Sequence, residues 1–249
     1  MLPRFLLSSV DLPNRTARLD AEEARHLSQV LRLGVGDEIA VFDGAGREFR
    51  AVVERVSRDA ADLRVVEEIA AAPEPAVRVT LAQAVLKGDK MDDVVRDAVM
   101  MGAAAIQPLV TARSETSLAA ITRGQRVDRW RRIAVASTKQ CGRAVVPTVL
   151  DARALDTNAT WLCGPATPDP RLLLVEPGTA LPARTPREVG EPPADAASIV
   201  VGPEGGWTPE ELGALAPVTV PMTLGHRTLR ADRAATVAVA ALQAVWNDQ

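Results

Sequence analysis

From residue 77 onward, short apolar runs alternate with amphipathic stretches, and this alternation constrains the fold more than any other feature of the sequence. The run 77–87 (VRVTLAQAVLK) has the continuous apolar character of a buried strand. The next stretch, 90–103 (KMDDVVRDAVMMGA), is typical of an amphipathic helix, and 104–114 (AAIQPLVTARS) indicates a second strand. Strands joined through a helix pair in parallel within one sheet. An α/β fold is therefore expected here.

The same alternation continues to the end of the sequence. A helix is expected at 125–140, strands at 145–152, 159–165 and 171–179, and an exposed proline-rich loop at 181–197. From residue 198 the expected order is strand, glycine-rich turn, helix, strand, tight turn and a terminal apolar helix. There is no internal repeat.

The first 72 residues form a different, β-rich segment. Strand-like runs with turn residues between them occupy much of it, at 37–46, 47–57 and 61–69. A helical stretch at 20–33 precedes them, with Gly34 as its expected stop. The proline-containing linker 70–76 follows, which predicts one domain at 1–72 and a second at 73–249.

Composition narrows the possible functions. Aromatic residues make up only 3% of the chain, so the core must be built from aliphatic side chains, which suits an α/β protein. The net charge of −3 gives no global cationic field, so any nucleic-acid contact must come from a local basic patch. Cys141 and Cys163 lack CxxC spacing, and with only His26 and His226 beside them no metal site is expected. The N-terminal segment resembles neither a signal peptide nor a membrane span, which favours a cytoplasmic protein without membrane contact.

The segment 199–211, IVVGPEGGWTPEE, sets two adjacent glycines between a buried strand and a helix start. Such a backbone can approach a ligand closely and leaves amide hydrogens free to donate. The spacing matches neither GxGxxG nor GxxxxGK[ST], which excludes the common dinucleotide and P-loop sites. A purely structural alternative stays open, with Thr208 as N-cap, Pro209 at the first helical position and Glu211 completing a capping box.

A second glycine turn, LGHRTLRADRAA at 224–235, follows the next strand. Together with GPEGG, it resembles the C-terminal signature of the RsmE family of SPOUT methyltransferases, which methylate N3 of one uridine in the decoding region of 16S ribosomal RNA. Two more segments, 87–114 and 129–149, and the N-terminal PRFL and HLSQVLRLGVGDEIAVFDGAG also match that family. The resemblance spans nearly the whole chain.

The resemblance implies a C-terminal SPOUT-type parallel-sheet domain with a trefoil knot and an N-terminal, small PUA-like RNA-binding β-barrel. It also implies a homodimer formed through the SPOUT domain, S-adenosyl-L-methionine as cofactor, and the small ribosomal subunit as partner. The residues expected to hold the cofactor are Val201, Gly202, Pro203, Glu204, Gly205, Gly206, Leu224, Gly225 and Leu229.

Two residues are candidates for catalysis through the same resemblance. Arg230 would stabilise the uridine N3 anion through O2 or O4, and Asp232 would collect the proton. The alternative is that they form an exposed ion pair and helix N-cap. Glu204 has a similar alternative as a solvated turn residue.

RNA contacts are expected from the matching motifs and from a basic island at 113–143. Because a charge-rich helix is usually a solvated face, the island alone carries little weight. The residues expected to contact RNA are Arg4, Arg32, Lys87, Lys90, Arg113, Gln140 and Arg143.

The sequence departs from the family pattern in two places. Met100 and Met101 stand where the family has glutamate and leucine, and Ala231, Asp232 and Arg233 replace a threonine-glutamate-threonine run. The alternatives to an N3 methyltransferase are another SPOUT enzyme that methylates the ribose 2′-hydroxyl, a non-catalytic RNA-binding or ribosome-assembly factor, and, more remotely, an enzyme acting on an acidic metabolite.

Overall fold

A computed structural model describes residues 2–156, 159, 162 and 169–247. The chain divides into two compact units. The first comprises Met1–Glu74 and Val135–Val146, and the second comprises Pro75–Ala134 and Pro147–Gln249.

The first unit is built on a mixed sheet. Its strands are β1 (Arg4–Leu6), β2 (Ser9–Asp11), β3 (Thr16–Leu19), β4 (Glu38–Phe42), β5 (Glu48–Val56) and β6 (Ala61–Ile69). Their order in the sheet is β1-β4-β5-β6-β3-β2, with β1 parallel to β4 and the other pairs antiparallel. Phe5, Leu27, Phe49 and Leu63 are among the fully buried side chains of its core. The β-rich segment predicted from turn spacing is confirmed.

The helical stretch of this unit is shorter than the sequence predicts. Helix α1 covers Ala21–Arg25 and continues as a π-helical segment, His26–Val30, instead of reaching Gly34. Arg32 has a φ of 57°, a left-handed conformation that ends the helix before the glycine. The amide of Gly34 instead donates to the Asp37 carboxylate over 2.7 Å.

The second unit contains a parallel sheet, as predicted. Its strands are β7 (Arg78–Ala84), β8 (Ala105–Val110), β9 (Thr148–Val149), β10 (Arg153–Ala154), β11 (Arg171–Leu174), β12 (Ala196–Val201) and β13 (Val220–Met222). The order is β10-β8-β7-β12-β11-β13, and β9 pairs with β8. All six residues of β12 are buried, because it lies between β7 and β11 in the sheet interior.

Six further helices follow in the described residues. They are α2 (Lys90–Met100), α3 (Leu118–Arg123), α4 (Arg126–Cys141), α5 (Pro186–Val189), α6 (Pro209–Leu215) and α7 (Ala231–Trp246). Helix α2 packs against α7. None of the helices in the described part of the chain is both long and apolar enough to cross a membrane.

The segment 181–197, expected to be an exposed loop, contains α5 and a bridge from Arg184 to Met222, so it is partly ordered by pairing next to β13. The strand expected at 159–165 lies outside the described residues, apart from the buried Ala159 and Leu162. The trefoil knot stays a prediction.

Candidate active site

The loops after β11, β12 and β13 line one pocket of about 630 Å³ in the second unit. In open parallel sheets, ligands bind at the carboxyl ends of the strands. The pocket is lined by Lys90, Arg113, Leu212, Ala234 and residues 174–179, 201–207, 223–224 and 227–232. Eight of the nine residues expected to hold the cofactor therefore line the pocket. The ninth, Gly225, has a φ of 110° and forms the turn between Leu224 and the arginine-containing loop.

The bare backbone of the GPEGG turn is contacted by the protein's own side chains. A Cβ on Gly202 would lie 3.0 Å from the indole ring of Trp207, whose Nε1 donates to the Leu174 carbonyl over 3.1 Å. A Cβ on Gly205 would lie 3.3 Å from the Arg113 side chain. Gly202 and Gly205 therefore make room for internal packing.

Gly206 has a different reason to be glycine. Its φ is 69°, which an L side chain rarely adopts, and a Cβ there would lie 3.3 Å from Oε1 of Glu176. Glu176 and Trp207, which shape the turn from inside the pocket, were not among the predicted site residues. Trp207 directly follows Gly206 in the sequence, but the sequence pattern does not show that its ring folds back onto Gly202.

Glu204 joins the turn to the loop after β7. Its Oε1 accepts hydrogen bonds from Lys90 Nζ over 2.8 Å and from the Lys87 amide over 3.2 Å. Burial acts to raise the pKa of the Glu204 carboxyl, but the hydrogen bonds from Lys90 and the Lys87 backbone outweigh burial and hold it below its usual value. Glu204 is therefore not a freely solvated turn residue, and its carboxylate is already hydrogen-bonded within the protein instead of being free to bind a ligand.

The capping box at the start of α6 is confirmed. Thr208 Oγ1 accepts from the Glu211 amide over 3.2 Å, and Glu211 Oε2 accepts from the Thr208 amide over 2.9 Å. Glu211 Oε1 also accepts from the Ala112 amide over 2.7 Å. The structural interpretation of the turn and its place in the pocket are therefore compatible, since the same helix start fixes the loop after β8.

A carboxylate–guanidinium cluster lies at the start of α7. The buried Asp232 accepts two hydrogen bonds from Arg230, at 3.1 and 3.2 Å, while 72% of the Arg230 side chain is exposed. Arg233 lies 3.7 Å from Asp232 and 3.0 Å from Asp97 on α2. Of the structural alternative, the Arg230–Asp232 ion pair is present, but Arg230, and not Asp232, occupies the N-cap position. The charge that Arg233 adds relative to the family pattern is balanced by Asp97.

The residues expected to contact RNA fall into three groups. Arg32 and Gln140 are exposed, and Lys87, Lys90 and Arg113 are attached to Glu115, Glu204 and the Gly205 carbonyl. In the first unit, Arg4, whose side chain is 9% exposed, pairs with Glu48, and the buried Arg143 pairs with Glu74. We therefore assign Arg4 and Arg143 a structural role and leave them out of the RNA surface.

The basic island at 113–143 is also partly neutralised within the second unit. Arg129 pairs with Asp89 and Asp92, and Arg131 pairs with Asp128 and Asp151. A solvated face with internal ion pairs therefore accounts for much of this charge. Among the described residues, no group of three or more His, Cys, Asp or Glu side chains could hold a metal ion.

Comparison with known sequences links both units to RNA modification. Residues 73–243 match a family of RNA methyltransferase domains, and residues 19–66 match the RNA methyltransferase PUA domain. Ribosomal RNA small subunit methyltransferase E of Synechocystis is 31% identical over 98% of this chain and 78% of the relative. The protein of that name from Mycobacterium tuberculosis is 30% identical over 96% of this chain and 90% of its own.

Solved structures show the same similarity in three dimensions. Ribosomal RNA small subunit methyltransferase E from Neisseria gonorrhoeae, bound to S-adenosyl methionine, superposes with a TM-score of 0.85 at 30% identity, covering 99% of this chain and 98% of that one. A putative methyltransferase from Legionella pneumophila in complex with the same cofactor gives a TM-score of 0.86 at 28% identity, covering 98% of both chains.

Proposed function

Because this chain belongs to the ribosomal RNA small subunit methyltransferase E family, we propose that it transfers a methyl group from S-adenosylmethionine to N3 of a uridine in 16S ribosomal RNA. The observation that carries the proposal is the meeting of the GPEGG turn, the LGHRTLR turn and the Arg230–Asp232 pair around one pocket. The strand order supports the predicted knot, since β12 lies between β7 and the preceding strand β11.

The pocket residues fit the cofactor. Its volume is within the range of small-molecule sites, and Leu224, Leu229 and Trp207 provide an apolar lining for an adenine ring. The turn carries peptide groups that can hydrogen-bond the polar parts of such a ligand. When bound, S-adenosylmethionine supplies an activated methyl group, so the protein need only orient the acceptor and favour its nucleophilic form.

Arg230 is the group best placed to act on the acceptor base. Its guanidinium is exposed at the pocket, and two hydrogen bonds from it to Asp232 fix its orientation. A cation beside O2 or O4 of uridine lowers the pKa of N3 and stabilises the anionic, nucleophilic form of the base.

Asp232 has a different role from the predicted one. Both of its carboxylate oxygens already accept from Arg230, and only 5% of its side chain is exposed, with Arg233 on its other side. Because both oxygens are held in this ion pair, we assign Asp232 the positioning of Arg230, and the N3 proton leaves to water.

Replacement of Arg230 tests the catalytic proposal. Arg230→Ala should lower turnover on small subunits while calorimetry shows unchanged cofactor binding. Arg230→Lys should recover part of the turnover, because lysine keeps the positive charge but lacks the planar guanidinium with its paired donors. Normal turnover in Arg230→Ala with intact cofactor binding removes this role. Failure of the wild-type chain to bind S-adenosylmethionine would instead favour a non-catalytic RNA-binding factor, and 2′-O-methylated product would favour a ribose methyltransferase.

The finer partner assignments remain part of the proposal. We assign 1–72 as the RNA-binding domain and 73–249 as the SPOUT domain, with Arg32, Lys87, Lys90, Arg113 and Gln140 as RNA contacts. A homodimer through the second unit is supported by Met100 and Val237, which are exposed apolar residues on the packed helices α2 and α7. A cytoplasmic location, where the ribosomal substrate is found, stays a prediction.

A further inference from the structure

A second cavity, of about 450 Å³, belongs entirely to the first unit. It lies between the α1 and π-helical segment on one side and the turn joining β5 to β6 on the other. Every residue that lines it is polar: Arg25, Ser28, Gln29, Ser57, Arg58 and Asp59. Apolar pockets suit aromatic ligands, whereas a wholly polar cavity suits a hydrated or charged group. π-helical segments often occur at functional sites.

The two serines hold the walls of this cavity in place. Ser57 Oγ donates to the Ala60 carbonyl over 2.9 Å and accepts from the Ala60 amide over 3.1 Å, while the Ser57 amide donates to the same carbonyl over 2.8 Å. Ser28 Oγ donates to the Ala24 carbonyl over 2.8 Å. These bonds close the β5–β6 turn on itself and present Arg58 and Asp59 at its tip.

The remaining polar side chains of the cavity have no partner among the described residues. Arg25, Gln29, Arg58 and Asp59 make no side-chain hydrogen bond or ion pair there. Most other arginines of the unit are paired with carboxylates, namely Arg4, Arg18, Arg47, Arg50, Arg55, Arg64 and Arg143. Two unpaired guanidiniums on one cavity therefore provide a ready site for an anion, and arginine forks match phosphate geometry.

The surroundings favour a nucleic-acid strand over a small anion. Val30 and Leu31 directly follow Gln29 and are 66% and 41% exposed. A nucleotide presents both a charged phosphate and an apolar base face, so it can use cationic and apolar side chains together. Asp59 can only accept a hydrogen bond when ionised, and a ribose 2′-hydroxyl can donate one.

We propose that this cavity binds the backbone of single-stranded RNA, with a phosphate held by Arg25 and Arg58 and an adjacent 2′-hydroxyl donating to Asp59. The inference rests on the proposed function, because the cavity adds a contact to the RNA substrate in the first unit. Binding of the RNA backbone does not depend on the RNA sequence, so this contact adds affinity but does not select a base.

The test compares two double variants of the full chain that lose the same charge. Arg25→Gln/Arg58→Gln removes the two cavity guanidiniums, and Arg47→Gln/Arg55→Gln removes two guanidiniums of the same unit that are paired with Glu68 and Asp62. Binding of a labelled oligouridine RNA is followed by fluorescence anisotropy over a series of salt concentrations, after thermal unfolding has shown that both variants are folded.

The cavity variant should bind the RNA about tenfold more weakly at low salt, and its log–log salt slope should be shallower by about 0.7 for each phosphate that the variant no longer neutralises. The control variant should change less than about twofold. Equal losses in both variants, or no loss in the cavity variant, would overturn the proposal. So would tight binding of pyrophosphate that depends on Arg25 and Arg58 without any effect of these residues on RNA binding.

A third variant tests the sugar contact. Asp59→Ala, which removes the acceptor, should bring binding of the oligouridine RNA and of its 2′-deoxy counterpart closer together, and an unchanged RNA preference would remove Asp59 from the site. Methyl transfer by the wild-type chain to small subunits is measured in parallel. If that transfer is absent, the proposed function fails, whereas transfer combined with unaltered RNA binding in the cavity variant refutes only this inference.

Discussion

At the scale of single residues, the GPEGG turn owes its bare backbone to neighbours within the protein. Trp207 and Arg113 occupy the space that side chains on Gly202 and Gly205 would need, and the positive φ of Gly206 excludes most other residues. The turn is therefore shaped before any ligand arrives, which reduces the ordering cost of binding.

Gly202→Ala should distort the turn, because the added methyl group would meet the Trp207 ring at 3.0 Å. We expect a loss of about 1–3 kcal/mol in the free energy of unfolding, together with weaker cofactor binding. Chemical denaturation and calorimetry measure the two effects.

Gly213→Ala is the matched control for this change. Gly213 lies within α6, and nothing is within 4 Å of the position of its added Cβ. That variant should be more stable than the wild type by about 0.5–1 kcal/mol, since alanine favours a helix over glycine. Equal destabilisation by both substitutions would contradict the packing account.

Asp232→Asn tests whether this carboxylate positions Arg230. Loss of its charge should loosen the guanidinium, so kcat should fall about tenfold, or about 1.4 kcal/mol of transition-state stabilisation, with little change in cofactor affinity. Asp97→Asn, which releases Arg233 instead, should have a smaller effect on kcat. Steady-state kinetics on small subunits distinguish the two, and a larger loss of kcat in Asp97→Asn would contradict the assignment.

The sequence motifs predict which loops line the pocket, but they do not predict which charged side chains form ion pairs with one another. Local spacing could place Arg230 next to Asp232, whereas the contact of Arg233 with Asp97 joins residues far apart in the chain. Likewise, the pairing of Arg4 with Glu48 and of Arg143 with Glu74 depends on how the first unit folds. A charge in a sequence does not reveal whether its partner will be solvent, RNA or another side chain.

At the scale of elements, the start of α6 contributes most to the pocket, because its capping residues also hold the loop after β8. Thr208→Ala removes the cap at the helix start, where Glu211 also binds the Ala112 amide, and should cost about 1 kcal/mol of unfolding free energy. Thr185→Ala removes the N-cap hydroxyl of α5, which donates to the Glu188 carboxylate over 2.8 Å; α5 has only four residues and no buried side chain, so the cost should be smaller. Urea denaturation of both variants measures the difference, and a larger cost at Thr185 would contradict this ranking.

Elements with strong periodicity were predictable, and those set by tertiary contacts were not. The apolar runs of β7, β8 and β12 and the amphipathic pattern of α2 identify them, because each buries a regular face. The π-helical segment after α1 leaves no mark in the hydrophobic pattern. The sequence predicts helix α4 as one element, but its residues from Val135 onward belong to the first compact unit. No change in composition marks that point in the sequence.

At the scale of the whole molecule, stability should depend on pH through Glu23. Burial raises the pKa of the Glu23 carboxyl above the ordinary value of 4.5, although Lys139 acts against this. Between 4.5 and the raised value, the folded chain holds a proton that the unfolded chain has released, so the free energy of unfolding falls as pH rises through that window.

Glu23→Gln should lack this contribution. Its stability relative to the wild type should therefore improve as pH rises from below 4.5 to neutrality. Urea denaturation at a series of pH values measures the change. A constant difference between the two proteins across the series would show that burial of Glu23 does not shift its protonation.

The central claim is that this chain methylates N3 of a uridine in the small ribosomal subunit. The direct measurement uses small subunits from a strain that lacks the protein, incubated with the purified chain and S-adenosylmethionine, with the modified position mapped by primer extension and the nucleoside identified by mass spectrometry. We predict 3-methyluridine at one position in the decoding region of 16S ribosomal RNA, strongly reduced with Arg230→Ala. A methyl group on a ribose hydroxyl, or no methyl transfer although the cofactor binds, would contradict the claim.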